Sequence, residues 1–591
     1  MLDLVIGGGW IVDGTGRPGW RGDVGIAGGR VVAVGDVGEQ ARRHLDADGR
    51  VVSPGFVDVH THYDAQVFWD PTLSPSPLHG VTTVIAGNCG LSLAPVAPED
   101  VDFLVRMLSR VEAIPLESLE AGVPFTWRTF PELLDAIDRL ALVPNIAVAA
   151  GHSAIRRAVM KERASVTAAA PGERRAMVQL LDEALGAGAI GFSSSTSATQ
   201  RDGDGAPTPP NFARPEELVA LAGACAGHPG TSVEFIPESS AYGFTDGELD
   251  LMAAMSVAAK RPLNWNTILL NYPAIADLAD RQLRSADVGA AAGGCVVPMI
   301  IPHNFRVRTD FRQSDVGFRS LPGFDALFRL PEGDRVAALA SAEVRASLAA
   351  SLADAAQGSN AMFVDSLDEQ LVSDTGDPAL AALLGRRVAD IAAERGTALV
   401  ETFFDLAVES RLDIGFVRYL APCDTPERRA LRRRVLRDPR VVLGASDGGA
   451  HTRGVINVEY TTACFAELVR DDDVFTLEEM VQELTDVPAR LYGLSGRGRL
   501  EEGAWADVVV FDPETIAPSP VGFVRDLPGG AGRLFNHGLG IDAVLVAGEP
   551  VVEKGAFTGA TPGALLRSGR DTVTTPPDQL LARQRVGGSI C

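Results

Sequence analysis

The nine residues PGFVDVHTH at positions 54–62 join an apolar, β-branched run to two histidines, His60 and His62. On a β-strand, alternate side chains share one face, and the two imidazoles therefore point the same way. Imidazole is a common ligand of divalent metals, and a pair at this spacing can grip one ion. An isolated pair of this kind is more often polar core or surface. The apolar run before it nevertheless predicts a strand that ends at a metal site.

Seven further apolar runs follow, separated by long segments rich in Ala, Leu, Arg and Glu with a helical period. Strands that alternate with helices favour a parallel sheet. Eight of them predict a TIM-like (β/α)8 barrel, whose active site lies at the C-terminal rim of the strands. Polar residues at strand ends therefore carry the most weight. The predicted strands are 55–59, 81–85, 146–149, 189–192, 232–235, 263–266, 296–301 and 441–444.

Both ends of the chain have a different texture, in which short β-branched runs alternate with Gly, Pro and Asp. This pattern predicts antiparallel strands, and we expect residues 1–53 and 497–591 to form one small β-sandwich module. The barrel then occupies residues 54–496. Two stretches inside it, near 96–135 and near 303–440, exceed normal connections, and insertions of that size usually act as lids or subunit contacts.

The composition limits the partners of the protein. Lys and Arg number 53 against 77 Asp and Glu, a net charge of −24 over 591 residues. Such a surface repels phosphate backbones and anionic headgroups, so we expect neither nucleic acid nor a membrane as partner.

No basic segment precedes an apolar run at the N-terminus, and no stretch approaches the roughly 20 apolar residues of a membrane span. We therefore expect a cytoplasmic protein. The six cysteines are spread singly and do not resemble a disulfide framework.

Two other predicted strand ends carry residues that suit a metal. Cys89 lies in GNCG at 87–90, and Asp447 lies in GASDGG at 444–449. A lone cysteine after an apolar strand is ordinarily a small buried hydrophobe, and an aspartate among glycines is ordinarily a turn residue. Glycines on both sides of Cys89 instead fit a thiolate exposed to a cation. Asp447 places a carboxylate at the same rim.

Together these motifs resemble the amidohydrolase superfamily and, more narrowly, its N-acyl-D-amino-acid deacylase (D-aminoacylase) branch. The resemblance covers nearly the whole chain, and GNCG is the motif that narrows the branch. The motifs that carry it are DLVI at 3–6, PGFVD at 54–58, HTH at 60–62, HGVTT at 79–83, GNCG at 87–90, AGH at 150–152, GAGAIGFS at 186–193, GASDG at 444–448, TDVPAR at 485–490 and EGAWAD at 502–507.

The resemblance implies a metal-dependent hydrolase. In such enzymes the ion activates a water molecule and polarises the scissile carbonyl, while an aspartate takes the proton of the water and passes it to the leaving nitrogen. Matched motif by motif, the metal residues are His60, His62, Cys89 and Asp447, and Asp447 is also the catalytic base and acid. The implied cofactor is a divalent metal, with zinc as the first choice.

The chain departs from the D-aminoacylase pattern at strands five and six, where that pattern supplies one histidine each for the tighter zinc. Strand five here reads SVEFIP at 232–237 and strand six LNWNT at 263–267. No lysine stands at the end of strand four to form a bridging carbamate. We therefore expect one ion per chain, and Glu234 or Asn266 are the candidates to complete its ligands. The nine histidines are His44, His60, His62, His79, His152, His228, His303, His451 and His537.

Four further residues are candidates for substrate contacts. His152 follows strand three and is either a substrate or metal contact or a hydrogen-bonded structural residue. His451 follows Asp447 closely and orients either the aspartate or the substrate, or else lies in solvent. Arg306 and Arg308 follow strand seven, where a guanidinium can receive a substrate carboxylate.

The resulting functional hypothesis is hydrolysis of a carbon–nitrogen amide bond in an N-acyl amino acid or a related small amide. The partner is then a small-molecule substrate, with a homo-oligomer possible. Two alternatives stay open at this point. One is hydrolysis of a cyclic amide, an ester or a lactone, since metal-activated water attacks all of these carbonyls. The other is a non-catalytic scaffold that has kept the fold and lost part of the metal site.

Overall fold

The structure is a computed structural model that describes residues 1–38, 40–240, 243–268, 270, 275–312, 318, 321–355, 367–419, 425–580 and 582–583. Its centre consists of parallel strands, and each of the eight predicted strands overlaps one of them. They are β1 (Phe56–Asp58), β2 (Val81–Ala86), β3 (Asn145–Val148, continued by Ala150–Gly151), β4 (Gly191–Ser195), β5 (Ser232–Ile236), β6 (Leu263–Ile268), β7 (Val296–Ile300) and β8 (Val442–Leu443).

The pairing of these strands follows their order in the chain. β1, β2 and the first part of β3 form one parallel sheet. The second part of β3 begins another, which runs through β4, β5, β6 and β7 to β8. The segments after β1 and β8 meet in a parallel bridge between Thr61 and Gly448. The fold is thus a mixed α/β arrangement in which the carboxyl ends of β1 and β8 are neighbours.

Helices connect these strands and pack around them. Several begin at a threonine that accepts from the backbone of the third helical residue, as Thr129, Thr245 and Thr476 do. This cap satisfies amide groups that the first helical turn leaves unpaired. The helices are Tyr63–Gln66, Val101–Val111, Leu116–Gly122, Phe130–Asp138, His152–Met160, Pro171–Gly186, Pro215–Ala224, Asp246–Ala259, Ile275–Ala291, Pro426–Leu436, Tyr460–Cys464, Leu477–Leu484, Asp486–Leu491 and Pro577–Leu580.

The two chain ends build one nine-stranded sheet. Val51–Pro54 pairs antiparallel with Val508–Phe511, and this contact joins the N-terminal strands to the C-terminal ones. Its core of buried aliphatic side chains draws on both ends of the chain, including Ile6, Val24, Val508 and Leu545. The strands are Leu2–Ile11, Trp20–Ala27, Arg30–Gly35, Ala41–Asp46, Val51–Pro54, Val508–Phe511, Ile541–Val546, Glu549–Glu553 and Ala556–Phe557.

The second predicted insertion has a hydrophobic core of its own, in which Phe324, Phe404 and Phe416 are buried. It also contains strands, which the sequence did not predict. Arg306–Asp310 pairs antiparallel with Val455–Ile456, a strand that follows Asp447 closely. The insertion therefore contacts the segment that carries the predicted catalytic residue. Its other elements are Phe324–Arg329, Glu332–Ala340, Ala342–Ala355, Leu371–Thr375, Val388–Arg395, Leu399–Glu409 and Ile414–Tyr419.

Across the described part of the chain, no single helix has the length and apolar character needed to cross a membrane. One sharply bent pair, Glu332–Ala340 with Ala342–Ala355, passes on length and composition alone. The four cysteines that the structure describes, Cys89, Cys225, Cys295 and Cys464, form no disulfide. Cys423 and Cys591 lie outside the described residues.

Candidate metal centre

The two histidines after β1 point to one place because the backbone around them is held on both sides. The Thr61 hydroxyl donates to the carbonyl of Ile85 in β2 (2.8 Å). On the other side, the amide of His62 donates to the carbonyl of Gly448 (2.7 Å). Both imidazoles are buried, and their ring centres lie 5.4 Å apart. The shared face that the spacing predicts is therefore present.

Cys89 reaches the same place from a tight turn after β2. Its own φ is +59°, and Gly87 beside it has a φ of +79°. A side chain at Gly87 would collide with the carbonyl of Ala149, 2.4 Å away, so the turn requires glycine there. The turn places the Cys89 Sγ 3.4 Å from His60 Nε2 and 3.7 Å from His62 Nε2.

Asp447 completes the group from the segment after β8. Its amide donates to the carbonyl of His60 (3.1 Å), which couples the ends of β8 and β1. Its Oδ1 atom lies 3.1 Å from His60 Nε2 and 3.8 Å from His62 Nε2. The structure thus brings together all four residues that the sequence predicts as the metal environment.

These four residues fit a zinc-type ion by chemistry and by spacing. Imidazole, thiolate and carboxylate are the usual zinc ligands, and two ligands of one tetrahedral ion with bonds of about 2.0–2.3 Å lie roughly 3.3–3.7 Å apart. The two imidazoles lie 3.1 to 3.8 Å from the thiol and the carboxylate, which brackets that range. One ligand atom from each of His60, His62 and Cys89 also lies within 4.8 Å of the other two.

Two of these side chains have shifted pKa values. Burial raises the pKa of the Cys89 thiol well above its usual value, and the carboxylates of Glu112 and Glu234 raise it further. Burial also acts to raise the pKa of Asp447, but the hydrogen bond and charge of His60 outweigh it and lower that pKa to about 2. A metal ion at this point would deprotonate a coordinating thiol outright.

At the ends of β5 and β6, where the D-aminoacylase pattern has histidines, this chain has a hydrogen-bonded pair, Glu234 and Asn266. The Glu234 Oε2 atom accepts hydrogen bonds from the amide of Cys89 (3.1 Å) and the hydroxyl of Ser193 (2.6 Å). Its Oε1 atom accepts one from the amide group of Asn266. Burial raises the pKa of Glu234 to about 7. Glu234 and Asn266 therefore support the backbone of Cys89 from the ends of β5 and β6.

His152 does not reach this pocket. It is fully buried, and its Nδ1 and Nε2 atoms lie 2.9 Å from the Ser194 hydroxyl and 3.0 Å from Glu217 Oε1. Arg156 binds the same Glu217 oxygen (2.8 Å). Both ring nitrogens have hydrogen-bond partners, which favours the structural alternative for His152. His451, in contrast, lies beside the pocket, with Nε2 3.9 Å from Glu112 Oε2.

The two arginines after β7 are also occupied. The Arg308 guanidinium forms ion pairs with Asp310 and with Asp374, the latter at 2.7 Å. Arg306 donates to the Tyr419 hydroxyl (3.0 Å) and lies over that ring. Two carboxylates already pair with Arg308, so the hypothesis that it receives a substrate carboxylate gains no support from this arrangement.

The sequence did not predict one residue of the pocket, Glu112. Glu112, in the connection between β2 and β3, has its Oε2 atom 3.4 Å from His62 Nε2. It is the residue directly after the helix Val101–Val111. A glutamate there opposes the helix dipole, whose negative end lies at the C-terminus. That mismatch was the one local signal of a role other than helix formation.

Comparison with known proteins identifies the family of the chain. A model of the amidohydrolase family matches residues 43–552. D-aminoacylase of Alcaligenes xylosoxydans xylosoxydans is 28% identical over 575 residues, which cover 96% of this chain and 97% of that protein. An uncharacterized protein of Mycobacterium tuberculosis is 30% identical over 596 residues, 94% of this chain and 93% of its own length.

A solved structure gives the same result. An N-acyl-D-glutamate deacylase from Bordetella bronchiseptica, in complex with zinc and a phosphonate that mimics the tetrahedral intermediate, is 26% identical with a TM-score of 0.62. The match covers 96% of this chain and 100% of that one. The predicted D-aminoacylase branch is thus confirmed, and the chain belongs to the amidohydrolase family.

Proposed function

We propose that the protein is a metal-dependent hydrolase that cleaves the carbon–nitrogen amide bond of an N-acyl amino acid. The observation that carries the proposal is the convergence of His60, His62, Cys89 and Asp447 at one buried point. The relatives support it, since D-aminoacylase and N-acyl-D-glutamate deacylase are deacylases by name and match nearly the whole chain. The substrate is then a small molecule. The cytoplasmic location and the homo-oligomer stay predictions.

The architecture behind this proposal is a (β/α)8 barrel made of both parallel sheets. The bridge between Thr61 and Gly448 joins the segments after β1 and β8, and it supports closure at that edge. We divide the chain into a barrel at 54–496 and a β-module from 1–53 and 497–591. On a barrel, all four metal residues lie at the C-terminal rim, where barrel enzymes carry their sites.

In this mechanism each residue has one role. A divalent metal, when bound, lowers the pKa of a water molecule and polarises the scissile carbonyl. His60, His62 and Cys89 would hold the metal. Asp447, beside them, accepts the proton of the attacking water at a carboxylate oxygen and returns it to the leaving nitrogen. The backbone amide of Asp447 donates to the carbonyl of His60 (3.1 Å), which holds Asp447 at this point.

We propose one ion per chain, with zinc as the first choice. The ends of β5 and β6 offer Glu234 and Asn266, which bind each other instead of projecting two imidazoles. The D-aminoacylase structure that this chain resembles, at 25% identity and a TM-score of 0.63, is described as having a binuclear centre with activation by one metal and attenuation by the second. One metal is therefore enough for activity in that relative.

The test uses metal-free protein reconstituted with zinc. Release of the free amine is measured from N-acetyl D- and L-amino acids with acidic and neutral side chains and from a cyclic amide, and release of acid is measured from an ester and a lactone. We expect metal-dependent amine release from at least one N-acyl amino acid. Turnover of only the cyclic amide, ester or lactone would replace this proposal with the alternative hydrolase. Metal binding without any turnover would favour the non-catalytic scaffold.

A further inference from the structure

We infer that Glu112 is itself a ligand of the metal, so that the long connection between β2 and β3 supplies part of the centre. This inference rests on the proposed function above. Glu112 is the first residue after a helix that packs outside the strands, and its side chain is only 3% exposed. A glutamate is almost never buried to that degree unless it is paired or coordinates a metal.

The distances place Glu112 among the ligands. Its Oε2 atom lies 3.4 Å from His62 Nε2, the same separation as that between Cys89 Sγ and His60 Nε2. This value lies within the roughly 3.3–3.7 Å expected for two ligands of one zinc ion. The same oxygen lies 3.9 Å from His451 Nε2, so Glu112 faces the pocket and turns away from the solvent.

Two buried polar atoms at this edge have no partner in the part of the chain that the structure describes. They are Glu112 Oε1 and His451 Nδ1. Buried acceptors and donors are nearly always satisfied, and an exception points to a bound water or ion. A carboxylate can bind a metal ion with one or both oxygens, so coordination would give Glu112 Oε1 a partner.

The charges around Glu112 favour the same conclusion. Burial raises its pKa well above the usual value, and the carboxylates of Asp447, Asp64 and Glu234 raise it further. Among the described residues, the groups within ion-pair distance of Glu112 are two histidines, His62 and His451, and burial lowers the pKa of both. Several acidic groups therefore share one buried space without a lysine or arginine, and a divalent cation relieves their repulsion.

A simpler role for Glu112 is to accept a hydrogen bond from a neutral His62. That role would use His62 Nε2, the atom that also faces Cys89 and Asp447, and would leave Glu112 Oε1 unpaired. Coordination uses both groups at once, because zinc accepts five ligands as well as four. Since Glu112 comes from a connection and the others from strand ends, it is the ligand that an incoming substrate displaces most easily.

The experiment compares Glu112→Gln with the wild type and with a matched control, Glu120→Gln, which changes an exposed glutamate of the same connection. Metal-free proteins are titrated with Co²⁺ in competition with a chromophoric chelator, and the absorption of the bound cobalt is recorded. Thermal unfolding is followed with and without Co²⁺. The cobalt spectrum reports the ligands directly and does not depend on turnover.

We expect Glu112→Gln to lower Co²⁺ affinity by at least about tenfold, since even groups behind the ligands contribute 10–100-fold. The cobalt bands should shift, and the rise in Tm on adding metal should shrink. Without metal, Tm should stay equal or rise, because a neutral amide replaces a buried carboxyl that has an unpaired oxygen and acidic neighbours. Glu120→Gln should match the wild type in every measurement.

Wild-type affinity and spectrum in Glu112→Gln would overturn this inference and leave the proposed function intact. A drop in Tm of the metal-free variant with an unchanged cobalt spectrum would also overturn it, since Glu112 would then act only as a hydrogen-bond acceptor. Absence of tight Co²⁺ binding by the wild type would overturn the proposed function as well.

Discussion

Two groups of strand ends contact Cys89. The first rim consists of the ends of β1, β2 and β8, and the second rim consists of the ends of β5 and β6. The two rims differ in how their polar groups are satisfied. At the first, the two imidazoles lie 3.1–3.8 Å from the Cys89 thiol and the Asp447 carboxylate. At the second, the carboxylate of Glu234 accepts from Cys89, Ser193 and Asn266.

This difference shows how a metal position can change its purpose without a change of fold. A carboxylate that three donors already satisfy has little need of a cation, whereas a buried group of imidazoles, a thiol and carboxylates is suited to bind one. The ends of β5 and β6 still act on the metal centre, but they act through the backbone of Cys89. Three variants test whether the two rims are as distinct as the geometry indicates.

The largest effect is expected from His60→Ala. This change removes the imidazole that contacts both Cys89 and Asp447, so bound metal and metal-dependent hydrolysis should fall to background. Elemental analysis of the purified variant and amine release measure the two losses. His44→Ala, which removes an exposed histidine of the nine-stranded sheet, should retain both. Full metal and activity in His60→Ala would place the site elsewhere.

A smaller effect is expected from Asp447→Asn. The amide keeps the shape of the side chain but cannot accept the proton of the attacking water, and loss of such a group costs about 10²–10⁴ in kcat. KM should change much less, since the substrate does not depend on this proton for binding. Steady-state kinetics separate the two parameters. Near-normal kcat would remove Asp447 from the proton transfer.

The smallest effect is expected from rebuilding the second rim with Glu234→His and Asn266→His together. Two imidazoles beside Cys89 restore the residue types of the D-aminoacylase pattern, so bound zinc should rise from one equivalent towards two. The matched control, Glu234→Gln with Asn266→Asp, exchanges the two polar groups and should hold one equivalent. Two equivalents in the wild type would contradict the proposed difference between the rims.

The parts of this molecule that the sequence predicted depend on short-range patterns. The eight strands follow from apolar runs bounded by polar residues, and each overlaps an observed strand. His60 and His62 share a face because side chains alternate along a strand. Cys89 required the glycines of its turn, which the sequence shows directly. The antiparallel strands within the second insertion were missed, since their partners lie far away in the chain.

By itself, the sequence determined the strand order, the pair of histidines, the turn of Cys89 and the absence of histidines on β5 and β6. Only the tertiary structure decided that Glu112 faces His62, that Glu217 occupies His152 and that two aspartates neutralise Arg308. The physical reason is the distance along the chain over which each interaction acts. Alternation and turn geometry act between neighbours in the chain, whereas the environment of a buried charge depends on segments that only packing brings together.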